Sequence, residues 1–442
     1  METKTSTSAH VPKDAKPKKK KNPERLMAYS LIAPSLILIL VIAIWPVLQS
    51  FYFSMFDLKL SDPSKSETHL GYEIDLSRYL DNYPFLISGI DNEIKENPQA
   101  ELTAIKEDLE SLDKQLQDNP DVKANYDIVN DKLLNFEKVD EGTAVVKIDK
   151  KLAQEISSKA SEAETTLKKL ELKDEKKITG LADGLKDVIR QPNFIGFKHY
   201  SDQLTDARMW KALSNTLVFT LVSVGFELVI GLAIALLINK AFFGRGLIRA
   251  TILIPWAIPT AVSALMWKFL YDGQNGVIAK MFEEVGIVNK MAYLLTTDTG
   301  AMFSVIFTDV WKTTPYMALL LLAGLQTIPG SLYEAASIDG ATKWKQFTSI
   351  TLPLLKSSLL VALLFRTLDA FRVFDLIFVL TGGGPANSTE TISLLAYKYM
   401  FNQQNFGTGS ALSVIVFICV AIISMIFIRF LGRDLLNDGP GK

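Results

Sequence analysis

One cysteine and three histidines in 442 residues remove most of the chemistry those side chains carry. Cys419 alone cannot form a disulfide within the chain, and no Cys/His cluster has metal-ligand spacing. Cys419 lies in an apolar run and reads as a small packing residue. The phosphate loop G-x-x-x-x-G-K-[ST] is also missing, so the chain holds no ATP site of that kind. Net charge is only −1, which leaves no electrostatic footprint for nucleic acid. No catalytic residue, metal, cofactor or nucleic-acid partner is therefore expected for this chain.

What is abundant is hydrophobic sequence, 48% of residues against 21% charged. The two are segregated. Six runs are long enough to cross a bilayer, which takes about 20 apolar residues; they lie at 27–56, 211–239, 248–271, 301–328, 354–380 and 407–432. The first is too long for the core of a cleaved signal and lacks a small-x-small exit, so it reads as a retained span. Lys16, Lys18, Lys19, Lys20, Lys21 and Arg25 precede it, which predicts a cytoplasmic N-terminus. Lys240, Arg245 and Arg249, then Lys343, Lys345 and Lys356, then Arg429 and Arg433 mark the loops and tail on the same side. The opposite-side loop at 272–300 is net acidic. The organisation predicted is a basic tail at 1–26, a first span at 27–56, an extracytoplasmic insert at 57–206, a five-span core at 207–432 and a cytoplasmic tail at 433–442.

The insert is charged and periodic. Leu102, Ile105, Leu109, Leu112 and Leu116 recur at steps of three and four, as do Val122, Tyr126, Val129, Leu133 and Phe136, and again Ile156, Ala160, Ala163, Leu167 and Leu170. Each set is one apolar stripe of an amphipathic helix. Asn97-Pro98 and Asn119-Pro120 read as helix starts, with Asn capping and Pro in the first turn. An antiparallel bundle of about three helices is expected. It serves either as a docking platform or as a solvated spacer.

Between the fourth and fifth runs stands Glu334-Ala335-Ala336-Ser337-Ile338-Asp339-Gly340, followed by Ile350-Thr351-Leu352-Pro353. Ser331 and Glu334 have capping-box spacing, so a short helix is expected to start at Ser331. Gly340 is expected to end it, because glycine turns freely into the left-handed region. A second short helix near 342–349 would present Trp344 and Phe347, and Pro353 would open the fifth span. The result is a stiff polar elbow at the cytoplasmic surface, seized by a separate motor.

This spacing, E-A-A-x3-G-x9-I-x-L-P, resembles the signature loop of permease subunits of bacterial ABC importers. Ile254-Pro255-Trp256-Ala257-Ile258-Pro259, Asp309-Val310-Trp311-Lys312-Thr313-Thr314-Pro315-Tyr316 and Leu380-Thr381-Gly382-Gly383-Gly384-Pro385 are similar to the sugar branch of that family, which serves maltose, maltodextrins, trehalose and glycerol phosphate. The likeness runs from Asn193 onward and includes Trp45-Pro46 in the first run. It implies an all-α integral membrane protein of the type I importer fold, with six transmembrane helices and a helical-bundle insert between the first two. It also implies partners: a second permease of the same kind, a cytoplasmic ATPase dimer that binds ATP and Mg, and an extracytoplasmic sugar-binding protein. Glu334, Ala335, Ala336, Asp339, Gly340 and Trp344 would meet the ATPase. A bacterial cytoplasmic membrane is the implied location, with both termini inside. The insert resembles one that contacts the solute-binding protein in maltose-type permeases.

Charges inside the runs are costly unless they face protein or water. Arg366, Asp369, Arg372 and Asp375 follow one another at steps of three, so opposite charges would neutralise each other along one helix. Asp309 and Lys312 repeat the pattern, and Glu227 has no local partner, which predicts a base on another span. These charges read either as a polar lining or as a ladder that orders the helices. Trp256, Trp311, Tyr316, Phe371 and Phe374 are candidates for stacking on a sugar. The resemblance places the solute path at Trp256, Asp309, Lys312, Thr313, Tyr316, Arg366, Asp369 and Ala370, with Arg372 beside them. Enteric maltose permeases are Asn- and Phe-rich in the fifth span, where this chain has Arg366-Thr367-Leu368-Asp369-Ala370-Phe371-Arg372, a departure that suggests another sugar or a less selective channel. Pro255, Pro259 and Pro315 predict kinks. Besides a membrane-anchored receptor that uses the external bundle, two other readings stand beside a sugar permease. One is an importer permease for a non-sugar solute, and the other is an ion-coupled transporter using Glu227, Asp309 and Asp369.

Overall fold

The structure, a computed structural model, describes residues 23–437, with side chains over 29–430. The expected tails at 1–26 and 433–442, with their basic side chains, fall largely outside those residues. The chain divides into Met1–Gln49 and Ser50–Lys442. Among the described residues, the first unit holds most of the first span. Its helix starts at Pro23 and is interrupted by one wide turn at Leu40–Ile44, and its last turns continue to Phe53 in the second unit.

The other five spans belong to the second unit. They are Ala207–Asn239, a broken helix of Arg245–Ala257 and Thr260–Leu270, then Asp298–Leu325, Lys343–Phe371 and Phe406–Phe430. All six expected runs are thus helical, with two differences. The third is bent by 89° at Ile258–Pro259, far more than a kink. Pro259 cannot donate, and Ile258 leaves the helix with ψ 133°, so the ladder stops there. The fifth run does not reach 380. Its helix ends at Phe371, and a separate Asp375–Leu380 helix packs against Thr260–Leu270. Pro315, by contrast, lies within an uninterrupted helix. Small residues let the spans approach closely. A Cβ added at Gly231 would lie 2.9 Å from the Met317 side chain, and one at Gly324 would lie 2.5 Å from Ser358.

The insert departs from the expected three-helix bundle. It contains a three-stranded antiparallel sheet in the order β2-β1-β3, formed by Tyr72–Asp75 (β1), Val145–Ile148 (β2) and Ile189–Arg190 (β3). Tyr72 faces Ile148 and Glu73 faces Arg190. The longer helices around it are Leu76–Glu96, Ala100–Asp118, Pro120–Leu134, Lys150–Leu167 and Glu175–Lys186. The predicted stripes form their common core, from Leu102 to Leu116, Val122 to Val129 and Ile156 to Leu167. Phe136 is the exception, almost fully exposed in a left-handed turn (φ 56°) just past the helix end. Asn119 caps as predicted, accepting the Asp121 N–H at 2.9 Å. Asn97 does not. It closes the preceding helix, its N–H donating to Glu93 O, and the next helix starts at Ala100.

Asn193 fastens the two ends of the insert. Its Oδ1 accepts the His69 N–H at 2.8 Å, and its Nδ2 donates to Glu67 O at 2.7 Å. Beyond it, Tyr200 shares a 2.6 Å hydroxyl contact with Ser54, and His199 Nε2 lies 3.0 Å from Phe56 O. Near the start of the second span, Glu390 is buried between Arg208 (2.8 and 2.9 Å) and Lys398 (2.7 Å). Burial works against its charge, but the two cations outweigh it and hold the carboxyl below the ordinary glutamate range.

Candidate solute site and coupling helix

After the fourth span, extended Pro329 (ψ 131°) turns the chain into a helix of Gly330–Ile338, bent 70° from the span. Its end matches the sequence expectation. Gly340 has φ +78°, its N–H donates to Ser337 O at 3.2 Å, and the Ala341 N–H donates to Ala336 O at 2.8 Å. This paired closure satisfies two terminal carbonyls. Its start differs. The helix begins at Gly330, so Ser331 lies inside the first turn and makes no cap, and the expected capping box does not form. Glu334, Ala335, Asp339 and Gly340 are exposed and Ala336 is half-buried. Ile338 is 87% exposed and Trp344 73%, an apolar pair on an otherwise polar elbow.

The expected second short helix is not separate. From Lys343 the chain runs through a wide turn at Phe347–Thr351 into Leu352–Phe371 as one span-length helix. Thr342 Oγ1 caps its start from the Lys345 N–H at 3.3 Å. Pro353 follows the wide turn, where the ordinary ladder is already interrupted. Side chains tie the elbow to this helix. Gln346 Nε2 donates to Ser337 Oγ at 2.9 Å and Ala341 O at 3.2 Å, and the Tyr333 and Thr351 hydroxyls meet at 3.0 Å. Neither Gln346 nor Tyr333 stands out in the sequence, because their partners are set by the fold.

A polar cavity of about 210 Å³ opens where the third, fourth and fifth spans meet. Asp309, Lys312, Thr313, Arg366, Asp369, Ala370 and Arg372 line it, joined by Thr260, Val373, Phe374, Asp375 and Leu376. Seven of the nine expected path residues are therefore brought together. Trp256 and Tyr316 are not on that wall; they stack on each other beside it, 5.6 Å between centroids at 14°. Phe374 and Asp375 were candidates from the sequence; Thr260, Val373 and Leu376 were not foreseen as lining, because they gather only through the break in the third span and the early end of the fifth. Of the other aromatics, Trp311 packs on Trp267 and Phe371 is buried. A larger groove of about 780 Å³ along the second and fourth spans is walled by Val222, Phe226, Phe303, Ile306 and other apolar residues. It offers few hydrogen-bonding groups, so the smaller polar cavity is the candidate site.

Arg366 is the hub of that cavity. Its Nε and Nη2 reach Glu227 at 2.5 and 2.9 Å, Nη2 also donates to Asp309, and Nη1 reaches Asp369 at 3.1 Å. Glu227 thus finds the cation on another span that its isolation predicted. Thr313 Oγ1 donates to the same carboxylate at 2.7 Å. Two sequence pairings do not hold as expected. Lys312 turns away from Asp309 and donates to the backbone carbonyl of Ile258 at 2.6 Å. The four-charge ladder is cut, since the helix ends at Phe371; Arg372 still meets Asp369 at 3.5 Å, while Asp375 opens the next helix. Arg366, Glu227 and Asp309 join three spans, while Asp369 and Arg372 are more than half exposed and face open space.

Comparison with known proteins adds the family. The model for the binding-protein-dependent transport system inner membrane component matches residues 227–437. The chain is 46% identical over 245 residues to the trehalose/maltose transport system permease protein MalF of Thermococcus litoralis, covering 55% of this chain and 82% of that protein. It is 44% identical over 247 residues to the trehalose transport system permease protein SugA of Mycobacterium tuberculosis, covering 56% and 78%. A solved bacterial ABC transporter involved in the import of the acidic polysaccharide alginate is similar at 24% identity and TM-score 0.49, over 54% of this chain and 84% of that one. The chain belongs to the family of binding-protein-dependent inner-membrane transport components: it is an integral membrane permease subunit of an ABC importer, not an enzyme.

Proposed function

We propose that this permease passes a di- or oligosaccharide of the trehalose, maltose or maltodextrin class, driven by a separate ATPase dimer. The names of its relatives support a sugar. One structural observation carries the reading. The coupling helix is joined by short turns to the two spans that supply half of the cavity lining, Asp309, Lys312 and Thr313 on one and Arg366, Asp369 and Ala370 on the other. A motor that moves Gly330–Ile338 therefore moves both walls. The cavity holds three acidic and three basic side chains, a balance suited to a neutral polyhydroxyl solute whose hydroxyls donate and accept.

Glu334, Ala335, Ala336, Asp339, Gly340 and Trp344 form the surface gripped by the ATPase, which binds ATP and Mg. A second permease of the same family completes the path. An extracytoplasmic sugar-binding protein delivers the solute, with the insert as its platform. Both termini are cytoplasmic, as the basic flanks of the spans indicate. Alternation follows because nucleotide-bound and nucleotide-free ATPases grip different states of the elbow. The test is uptake of labelled trehalose and maltose in membrane vesicles supplied with binding protein and ATP. Saturable uptake that disappears without nucleotide is expected. Undiminished uptake after nucleotide depletion, or transport of neither sugar, overturns the reading.

A further inference from the structure

The break in the third span frees backbone carbonyls that a continuous helix would satisfy. Pro259 has no N–H, and Ile258 is extended with ψ 133°. Carbonyls freed within a membrane span need partners. The fourth span supplies one. Lys312 Nζ donates to Ile258 O at 2.6 Å and, more weakly, to Trp256 O at 3.4 Å. One turn along the same span, Tyr316 stacks on the Trp256 ring. The fourth span therefore holds both the backbone and the side chain of the break.

Lys312 does this from inside the polar cavity. It lines that space together with Thr260, the first residue of the helix beyond the break. An ammonium has three protons to donate. One is spent on a short bond and one on a long bond, so the third is open to an oxygen-rich solute, and the 3.4 Å contact is the first to give way as the ammonium turns toward it. Asp309, the nearest carboxylate in sequence, is engaged by Arg366. The Lys312 ammonium thus sits between the solute space and the bent backbone.

We propose that Lys312 is a positioning residue that sets the 89° bend of the third span by holding its free carbonyls, and that a hydroxyl-bearing solute in the cavity loosens this hold. The solute half rests on the sugar reading above; the clamp half does not.

The experiment uses the whole transporter, purified through this chain with its partner subunits and reconstituted in lipid nanodiscs. Cys419 is replaced by serine, and spin labels are placed at Ile248 and Phe269, on either side of the break. The distance distribution is measured without sugar and with trehalose or maltose, for wild type, Lys312→Met and Lys312→Arg. Without sugar, a narrow distribution is expected for wild type and Lys312→Arg, and a broadened one for Lys312→Met. Either sugar is expected to shift the wild-type and Lys312→Arg distances and to leave Lys312→Met unshifted. A Lys312→Met complex with wild-type width and a wild-type shift overturns the proposal. Failure of Lys312→Arg to restore the shift overturns the ammonium-like donor role. A wild type that ignores both sugars, while Lys312→Met still broadens, overturns the sugar assignment and supports the clamp.

Discussion

Arg366 is 2% exposed and meets Glu227, which is fully buried, and Asp309. Removing one member of a buried, hydrogen-bonded pair leaves a charge without compensation, at a cost of about 3–5 kcal/mol. An exposed pair is worth roughly 0–1 kcal/mol. The two cases occur side by side here, since Asp369 is 56% exposed. Arg366→Met, which strands the buried Glu227 and Asp309 carboxylates, is therefore expected to lower stability by about 3–5 kcal/mol, and Asp369→Asn by less than about 1 kcal/mol. Thermal unfolding of the purified protein in detergent checks both, and equal effects would contradict the burial argument. Glu227 shows what one sequence can and cannot give. Its isolation on an apolar helix predicts a partner on another span, and Arg366 is that partner. Lys312 shows the reverse: helical spacing favoured Asp309, but a freed carbonyl on a neighbouring span won. A carbonyl freed by a break is invisible until the break is seen.

At the scale of elements, Gly340 closes the coupling helix with φ +78°. A side chain there costs roughly 1–2 kcal/mol, because the left-handed region crowds Cβ against the following carbonyl. Gly340→Ala has open space around the added methyl, so backbone strain is its only penalty. It is expected to speed amide exchange in Gly330–Ile338 and reduce sugar uptake, while Gly330→Ala leaves both near wild type. In the insert, Lys168 and Lys186 donate to Glu164 at 2.6 and 2.7 Å and join the Lys150–Leu167 and Glu175–Lys186 helices. Those hydrogen bonds hold the Glu164 carboxyl down to about 2, from an ordinary 4.5. A depressed carboxylate contributes stability above its ordinary value and loses it as pH falls toward its native one. Exchange protection of these two helices should therefore decline between about pH 4.5 and pH 2, and Glu164→Gln should flatten that decline. The helices were legible because apolar stripes at steps of three and four specify them. The sheet was not, because its strands are two to four residues long and pair across distant parts of the chain. The capping box failed for a similar reason: the turn at Pro329 starts the helix at Gly330, one residue before the motif.

For the whole molecule, the elbow between the fourth and fifth spans is tied back by Gln346 to Ser337 and by Tyr333 to Thr351, and the proposed function needs these parts to move as one lever. Gln346→Ala removes the bonds to Ser337 Oγ and Ala341 O and is expected to weaken the link between nucleotide hydrolysis and uptake more than hydrolysis itself. The ratio of sugar moved to ATP hydrolysed in proteoliposomes checks this. The most direct measurement asks whether the cavity changes its exposure when the motor moves. Asp369→Cys, in a chain with Cys419 replaced by serine, puts a thiol on the cavity wall. Its reaction with a membrane-impermeant thiol reagent is followed from one side, with and without vanadate to trap nucleotide. The account predicts that trapping changes the rate and that Gly340→Pro abolishes the change. An unchanged rate, or the same change in Gly340→Pro, would contradict it.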